Sequence, residues 1–489
     1  MEKTAEKANI LQALKSGNWK NLIAMFFYFD TGFTAWLLFG PALGLFIVKE
    51  LHLKPAFTFF MAGVPLLMAA VLRIPFGYML QSINGKYIAT LGIILSGIPP
   101  IYLNLRTGTP TLEEIILLGA LLGAGGASFA IALPMAGSTY PKKYQGIVLG
   151  IAAAGNLGAV MDGFLFPPVA KTFGWRPAAI IADILLFIAL ILVLWWGDDK
   201  TAKEPKLKKH ALFNFVANYL FGLMIIFGIY YFVKWMIIEG QISPIRLKSL
   251  LLALPFITGG FSLFILPQIY KNILKERDIW KFMLLYSITF GGFVGMSAGV
   301  AFILKATYGF SPVSAGITMS LLSLTGALAR PVGGHIADNI GGVKVLILVL
   351  TSISFFNFML GFAAPHLPMM IGVALLFGLF VSYGFGNGAV FQLVPLRWPL
   401  STGITTGIIG AAGGFGGFIL NQTFGLVKEG TGSFTLAYAI FGSIAIIALT
   451  GLLILRNEWH QWAIADKNET HTMGTIQQQS KVYEEEVKV

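Results

Sequence analysis

The chain has 489 residues, of which 56% are hydrophobic and only 11% are charged, and its mean hydropathy is +0.77. This composition excludes a soluble globular protein and is typical of a helical protein that crosses a membrane many times. There is no cysteine, and the six histidines are scattered, so neither a disulfide framework nor a metal site is expected. The formal charge of +12 does not indicate nucleic-acid binding, because in a membrane protein the positions of the basic residues matter first.

Apolar runs of membrane-spanning length predict about fourteen transmembrane helices in two six-helix repeats plus two extra central helices. The predicted domains are a polar N-terminal tail (1–20), a first six-helix bundle (21–197), charged linkers with the two extra helices (198–279), a second six-helix bundle (280–456) and a polar tail (457–489). The predicted spans are 21–48, 56–80, 86–104, 112–138, 145–170, 175–197, 211–238, 249–269, 280–305, 312–337, 343–363, 368–393, 401–426 and 434–455.

The distribution of basic residues predicts the orientation. With the N-terminus inside, most lysines and arginines fall in cytoplasmic segments, and both charged central loops also lie inside. We therefore expect a multi-pass protein of the cytoplasmic (inner) membrane with both termini in the cytoplasm. We expect the protein to lie in the lipid bilayer as a monomer.

Two arginines interrupt otherwise apolar helices, Arg73 in Ala69–Gly77 and Arg330 in Gly326–Gly334. A guanidinium group in hydrocarbon is costly and cannot be neutralised by deprotonation, so each side chain must face a polar cavity or a partner. With no acidic partner nearby in the sequence, the two cations predict a site that holds an anion. The alternative is that each arginine pairs with main-chain carbonyl groups in a purely structural role.

An internal repeat relates the two arginines, because Arg330 follows Arg73 by 257 residues and the same offset aligns other segments. It places Gly77 on Gly334, Gln81 on Asp338 and residues 146–151 on 403–408. A constant offset between separate segments indicates a duplicated six-helix unit, and transporters built from such repeats bind substrate at the repeat interface.

A loop motif supports this interpretation. The segment Gly334–Lys344, with Asp338 four residues after its first glycine, resembles the cytoplasmic gating loop of the major facilitator superfamily. The resemblance implies the major facilitator fold and a gating role for Asp338. The first-repeat copy has Gln81 in place of the aspartate, so we expect its gate to depend less on a charged interaction.

Two helices are rich in glycine, at residues 150–158 and 407–417. Neither ends in the Gly-Lys-Ser/Thr pattern of a nucleotide-binding loop. Small residues allow close helix packing, and they also leave room for a small ligand and for sliding during a transport cycle. The glycines assigned to these transport helices are Gly150, Gly155, Gly158, Gly407, Gly410, Gly413 and Gly414.

Taken together, several segments resemble the nitrate/nitrite porter family of the major facilitator superfamily. They are Leu72–Pro75, Gly123–Ala130, Tyr140–Gly146, residues 150–158, Leu285–Phe293, Gly386–Gln392 and the glycine-rich run 407–417. By position, the resemblance implies that the two arginines grip a planar anion, that an asparagine donates to it, and that aromatic rings line the site. The residues concerned are Arg73, Arg330, Asn156, Tyr286, Phe290, Phe129 and, as a weaker match, Phe39.

The function expected from these observations is secondary active transport of nitrate by alternating access, without a cofactor. Proton symport for uptake is favoured by the first-helix segment Phe29–Pro41, which looks more like the symporter branch, and Asp30 is the candidate for proton coupling. Asp162 and Asp183 are two further acids in the interior of predicted spans. Nitrate/nitrite antiport is the main alternative, and it requires no proton.

Other classes of protein fit the sequence less well. Two alternative functions are a carrier of another small anion and an anion channel or sensor. An enzyme is not expected, because the predicted helices carry no facing cluster of acids, histidines or a nucleophile with its base.

Overall fold

The computed structural model describes residues 10–141, 144–238, 244–363, 366, 368–399 and 401–465. Within these ranges the chain is almost entirely helical and forms no strand. Parts of the two predicted tails, residues 1–9 and 466–489, lie outside these ranges.

The described residues of the first half, which precedes the central linker, form ten helices. They are α1 (Ile10–Lys15), α2 (Trp19–Trp36), α3 (Gly44–Leu51), α4 (Pro55–Leu80), α5 (Gly85–Leu105), α6 (Leu112–Ala127), α7 (Phe129–Ser138), α8 (Gln145–Ala153), α9 (Gly158–Phe173) and α10 (Trp175–Trp196). A short 3₁₀ segment, Ala154–Leu157, joins α8 to α9.

The extra central helices and the second half complete the fold. The extra segment comprises a 3₁₀ turn (Pro205–Leu207), α11 (Lys208–Ile238), α12 (Pro244–Lys248), a second 3₁₀ turn (Ser249–Ala253), α13 (Leu254–Phe264) and α14 (Gln268–Leu274). The second half comprises α15 (Arg277–Tyr308), α16 (Pro312–Ile340), α17 (Gly342–Phe358), a π-helical turn (Met359–Ala363), α18 (Met369–Arg397), α19 (Thr402–Thr431) and α20 (Thr435–Ala465).

Thirteen helical stretches of the described chain are long and apolar enough to cross a membrane. They coincide with thirteen of the predicted spans, and the remaining one, residues 21–48, is broken into α2, a π-helical turn at Leu38–Ala42 and α3. The break falls at Gly40 and Pro41, where Gly40 leaves helical geometry (φ −100°, ψ −105°) and proline lacks the N–H that a continuous helix needs. The close approach of α15 also requires a glycine here, since a Cβ on Gly40 would lie 2.6 Å from the carbonyl oxygen of Ala298.

Two details of the extra segment differ from the prediction. The predicted span 249–269 begins earlier, at Pro244, and ends at Phe264, three residues before Pro267. The charged segment between the predicted spans 249–269 and 280–305, residues 271–278, is largely helical because α14 extends to Leu274 and α15 begins at Arg277.

The helices that position the arginines lie at the centre of the molecule. Helix α4 packs along α19 of the second half and along α6, while α16 packs against α18 and also against α9 of the first half. The extra helix α11 lies on the outer face of this arrangement against α4, and α13 contacts both α4 and α19. The two halves therefore meet along α4–α19 and α9–α16, and the extra helices border the first of these seams.

Candidate functional site

Arg73 lies in the interior of α4 and is 1% exposed. Its Nε donates a hydrogen bond to the carbonyl oxygen of Gly126 (3.1 Å), and one terminal nitrogen, Nη1, donates to the carbonyl oxygen of Gly410 in α19. The other terminal nitrogen, Nη2, is buried without a hydrogen-bond partner. Main-chain pairing, the structural alternative, thus accounts for part of this guanidinium group and leaves one donor nitrogen open.

Three aromatic rings surround the Arg73 guanidinium. Its central carbon lies 5.2 Å from the ring of Trp36, 5.7 Å from Phe129 and 5.2 Å from Phe290. Ring faces attract a cation and exclude water, so they hold the charge in place without neutralising it. Trp36 is itself oriented by a hydrogen bond from its indole nitrogen to the carbonyl oxygen of Pro65 (2.8 Å).

Arg330 occupies the equivalent position in α16 and is partly buried. Its central carbon lies 5.6 Å from the ring of Phe391, and its Nη1 is buried without a hydrogen-bond partner. Arg330 and Arg73 are close enough to repel each other electrostatically, and the phenol of Tyr286 interacts with both. Two neighbouring cations, each with an open donor, form a site suited to an anion.

A continuous group of aromatic rings connects the surroundings of the two arginines. Tyr286 and Phe290, one turn apart on α15, stack with centroids 4.9 Å apart and planes inclined by 3°. Phe391 of α18 meets Tyr286 edge-on at 4.8 Å and lies 6.2 Å from Phe129. The structure therefore brings Arg73, Arg330 and three of the four predicted aromatic residues into one cluster.

Asn156 and Phe39 are the two remaining residues of the predicted site. Asn156, in the 3₁₀ segment between α8 and α9, is 2% exposed, and its side-chain oxygen has no hydrogen-bond partner. The neighbouring Gly155 packs on Phe29, whose ring contacts Phe129 at 5.6 Å. Phe39 is fully buried in the broken part of the first span and faces Gly119 of α6. The contacts of the described residues join neither Asn156 nor Phe39 directly to an arginine, and their roles stay predictions.

The glycines singled out in the two glycine-rich helices fall into two groups. A Cβ at Gly413 would lie 2.7 Å from Phe290 and 2.9 Å from Tyr286, and one at Gly158 would lie 2.1 Å from the carbonyl oxygen of Asp30. A Cβ would likewise be crowded at Gly155, against Phe29, and at Gly414, against Ala70 of α4.

By contrast, a Cβ at Gly150 or Gly407 would meet open space, and one at Gly410 only ordinary contacts with Phe129 and Arg73.

Two of the acids named from the sequence lie together. Asp30 of α2 and Asp162 of α9 are close enough to interact electrostatically, and Asp162 is fully buried with neither carboxyl oxygen hydrogen-bonded. Asp183 lies apart on α10, near Gly97 of α5. The geometry identifies Asp30 and Asp162 as neighbours, and a coupling role for Asp30 stays a prediction.

The two loop motifs have different surroundings. Asp338 is exposed near the end of α16, and Gly341, which follows that helix, has a φ of +94°. At the first-repeat copy, Gln81 donates to the hydroxyl of Tyr270 (3.3 Å). The adjacent Gly85 N–H donates to Asp199 of the linker (2.7 Å), which also pairs with Lys203 (2.6 Å).

Asp199 thus brings a charged interaction to the loop that lacks the motif aspartate. Burial acts against ionisation of its carboxyl group. Hydrogen bonds from Lys203, Thr201 and the Gly85 N–H outweigh this effect and lower the pKa of Asp199.

The sequence does not single out two residues whose rings lie over the arginines, Trp36 and Phe391. Phe391 lies within Gly386–Gln392, which carries the family resemblance, and Trp36 lies within Phe29–Pro41, which looks like the symporter branch. Aromatic residues are frequent in this chain, with 41 phenylalanines alone, so position in a motif was the only available signal. Among the described residues, no group of three or more His, Cys, Asp or Glu side chains could hold a metal ion.

Three curated relatives are similar over most of their length. They are the nitrite extrusion protein of Bacillus subtilis strain 168 (26% identical, covering 90% of this chain and 93% of the relative), the probable nitrate transporter NarT of Staphylococcus carnosus strain TM300 (27%, 88% and 92%) and the probable nitrate/nitrite antiporter NarK1 of Thermus thermophilus (25%, 88% and 91%).

Solved structures support the same fold. Two structures of a POT family transporter, one in complex with a thioalcohol-conjugated peptide and one with 5-aminolevulinic acid, superimpose with TM-scores of 0.65 and 0.66. Each match covers 92% of this chain and 100% of the solved chain at 16% identity, so the likeness concerns the fold.

The family model of the Major Facilitator Superfamily matches residues 22–421. By this match the chain belongs to the Major Facilitator Superfamily, and it is a transporter rather than an enzyme.

Proposed function

We propose that this chain carries nitrate across the cytoplasmic membrane by alternating access. The observation that carries the proposal is a pair of neighbouring arginines, the buried Arg73 and the partly buried Arg330, each with a buried guanidinium nitrogen that has no hydrogen-bond partner. A buried donor without a partner is costly, and an anion between the two groups would satisfy both donors and offset their mutual repulsion.

The surrounding rings favour a flat, weakly hydrated anion. Guanidinium groups present planar, fork-shaped donors that suit a planar oxyanion. The stacked pair Tyr286–Phe290 and the rings of Phe129 and Phe391 offer flat apolar surfaces and little compensation for a strongly hydrated ion such as phosphate or sulfate. The names of the relatives from Staphylococcus carnosus and Thermus thermophilus support nitrate as the substrate.

The remaining residues have proposed roles. Asn156 orients the anion, Phe39 forms a more distant part of the aromatic wall, and the glycine-rich helices let the two halves move relative to each other. Asp338 gates the second-half loop. Both termini lie in the cytoplasm, and the transporter works as a monomer. Support comes from the family resemblance, the repeat and the distribution of basic residues.

For energy coupling we propose nitrate/proton symport, with Asp30 as the proton-carrying residue. Uptake of an anion opposes the inside-negative membrane potential, so more than one proton must accompany each nitrate ion. Support comes from the Asp30–Asp162 neighbourhood beside the first transport helix. Nitrate/nitrite antiport is the second candidate, and it is favoured by the printed names of the Bacillus subtilis and Thermus thermophilus relatives.

The deciding experiment is nitrate uptake into proteoliposomes with and without internal nitrite, and with and without an inward proton gradient. Symport predicts accumulation driven by the proton gradient in vesicles free of nitrite. Antiport predicts uptake that requires internal nitrite and ignores the gradient. Absence of saturable nitrate uptake under all four conditions would contradict nitrate transport itself.

A further inference from the structure

A buried ion pair joins the extra helices to the second half of the chain. Lys248, at the end of α12, pairs with Glu429, in the last turn of α19. Their side chains are only 4% and 15% exposed, whereas most other ion pairs of the described residues are more exposed. A buried pair of this kind is strongly sensitive to loss of one partner, because the other charge is then left uncompensated.

The same glutamate also binds the first half. Its second carboxyl oxygen, Oε2, accepts a hydrogen bond of 3.0 Å from the main-chain N–H of Ala56, in the first turn of α4. The Lys248 ammonium lies 4.7 Å from the ring of Phe57 in the same turn. The first half, the second half and the extra segment therefore meet at one pair of side chains.

The surroundings of this pair are closely packed across the same seam. A Cβ at Gly425 of α19 would lie 2.8 Å from the carbonyl oxygen of Pro55, and one at Gly430 would lie 3.4 Å from Ile245 of α12. The ring of Phe59 on α4 contacts Phe302 of α15 at 5.5 Å. This end of the molecule, which the topology prediction places outside, is closed in the structure.

We infer that the extra helix pair acts as a clasp, with Lys248 and Glu429 holding the two halves together at this end. In alternating access the halves must separate at each end in turn, so the contact between Ala56 in α4 and Glu429 in α19 must break once per cycle. A lysine supplied from outside both halves stabilises the closed arrangement and sets how often this end opens. The extra helices thereby regulate the conformational equilibrium without contacting the anion site.

The chain offers a matched control. Lys234 of α11 pairs with Glu113 of α6 (2.6 Å), and that pair joins the extra helices to the first half only. Lys234→Ala removes an ion pair of the same extra segment without releasing a contact between the halves. It should leave the opening of this end unchanged.

The test is a distance measurement in lipid nanodiscs. Because the chain has no native cysteine, spin labels can be placed at Lys54→Cys and Thr431→Cys, two exposed positions beside the clasp on opposite halves. In Lys248→Ala we expect the ratio of the long-distance to the short-distance population to rise about tenfold, the change that about 1.4 kcal/mol produces. Lys248→Arg should restore the parental distribution.

Glu429→Gln, which retains an acceptor for Ala56 but loses the charge, provides the same test from the other partner. If Lys248→Ala does not yield a folded protein, the distance distribution of Glu429→Gln tests whether the ion pair holds the two halves together. The proposal is overturned if neither substitution changes the distribution, or if Lys234→Ala widens it equally. Because no substrate is added, the result does not depend on whether nitrate is transported.

Discussion

The side chain of Arg73, from the first half of the chain, donates a hydrogen bond to the main-chain carbonyl of Gly410 in the second half. A residue proposed to bind the anion is thus also part of the contact between the halves. Under the proposed function, anion binding and conformational change would share one side chain, which would give a structural basis for coupling them.

Replacing either arginine by lysine should reduce nitrate uptake by about a hundredfold. The positive charge is kept, but the fork of donors is lost, equivalent to about two charge-assisted hydrogen bonds of roughly 1.5 kcal/mol each. Initial uptake rates in proteoliposomes at equal protein content measure the effect. Uptake within about threefold of the parent in Arg330→Lys would contradict a bidentate role.

The two substitutions should differ in stability. Arg73→Lys also loses the hydrogen bonds to Gly126 and Gly410, costing about 1–2 kcal/mol, and should lower Tm. Arg330→Lys should leave Tm nearly unchanged, because the Nη1 it removes has no hydrogen-bond partner. Thermal unfolding in detergent, followed without added nitrate, compares the two variants.

Replacing a crowded glycine by alanine should reduce nitrate uptake, whereas the same replacement at an uncrowded glycine should not. Gly413→Ala forces the Tyr286–Phe290 stack to shift and should abolish most nitrate uptake, whereas Gly407→Ala, which meets open space, should retain it. Uptake assays on both variants, with expression level as the control for folding, test this expectation. Equal activity of the two would argue against an aromatic wall at Gly413.

Trp36 should position Arg73. Trp36→Leu removes both the ring face and the hydrogen bond to Pro65, so the guanidinium loses one wall. We expect the KM for nitrate to rise about tenfold, the equivalent of about 1.4 kcal/mol. Trp36→Phe, which keeps an aromatic face, is the control and should recover part of the affinity. A fall in kcat with an unchanged KM would point instead to a role in the conformational change.

If Asp30 carries the coupled proton, its substitution should affect proton-driven nitrate accumulation but not nitrate counterflow. Asp30→Asn should abolish nitrate accumulation driven by a proton gradient, since the amide cannot carry the proton. Nitrate counterflow, which needs no net proton movement, should persist. Loss of both activities would assign Asp30 to structure, and retention of both would place coupling elsewhere.

Asp199 should contribute a pH-dependent part of the stability. The pKa of its carboxyl group is lowered in the folded protein, so its contribution is present above the unfolded value of about 3.9 and is lost as the pH falls through the lowered folded value. Asp199→Asn should therefore lower Tm at pH 7 and have a diminishing effect as the pH is lowered below about 4. A Tm difference that stays constant with pH would contradict this assignment.

The sequence alone is sufficient to identify most of the membrane-spanning helices and the two arginines. Apolar runs of bilayer length are unambiguous, and a guanidinium group within such a run is too costly to occur without a reason. Arg73 and Arg330 therefore stand out against their surroundings, and their constant offset relates them to each other. Glycine and proline at positions 40 and 41 are visible in the sequence, whereas the close approach of α15, which leaves no room for a Cβ at Gly40, is not.

Only the tertiary structure shows which neutral residues surround the charges and which charges pair. Trp36 and Phe391 look like any other aromatic residue of a membrane helix, and their selection depends on which helix faces lie against α4 and α16. Lys248 and Glu429 are 181 residues apart, and nothing in either local sequence specifies the other. Hydrophobicity depends on each residue and its near neighbours and can be read along the chain, whereas contacts between distant segments arise only when packing brings their helices together.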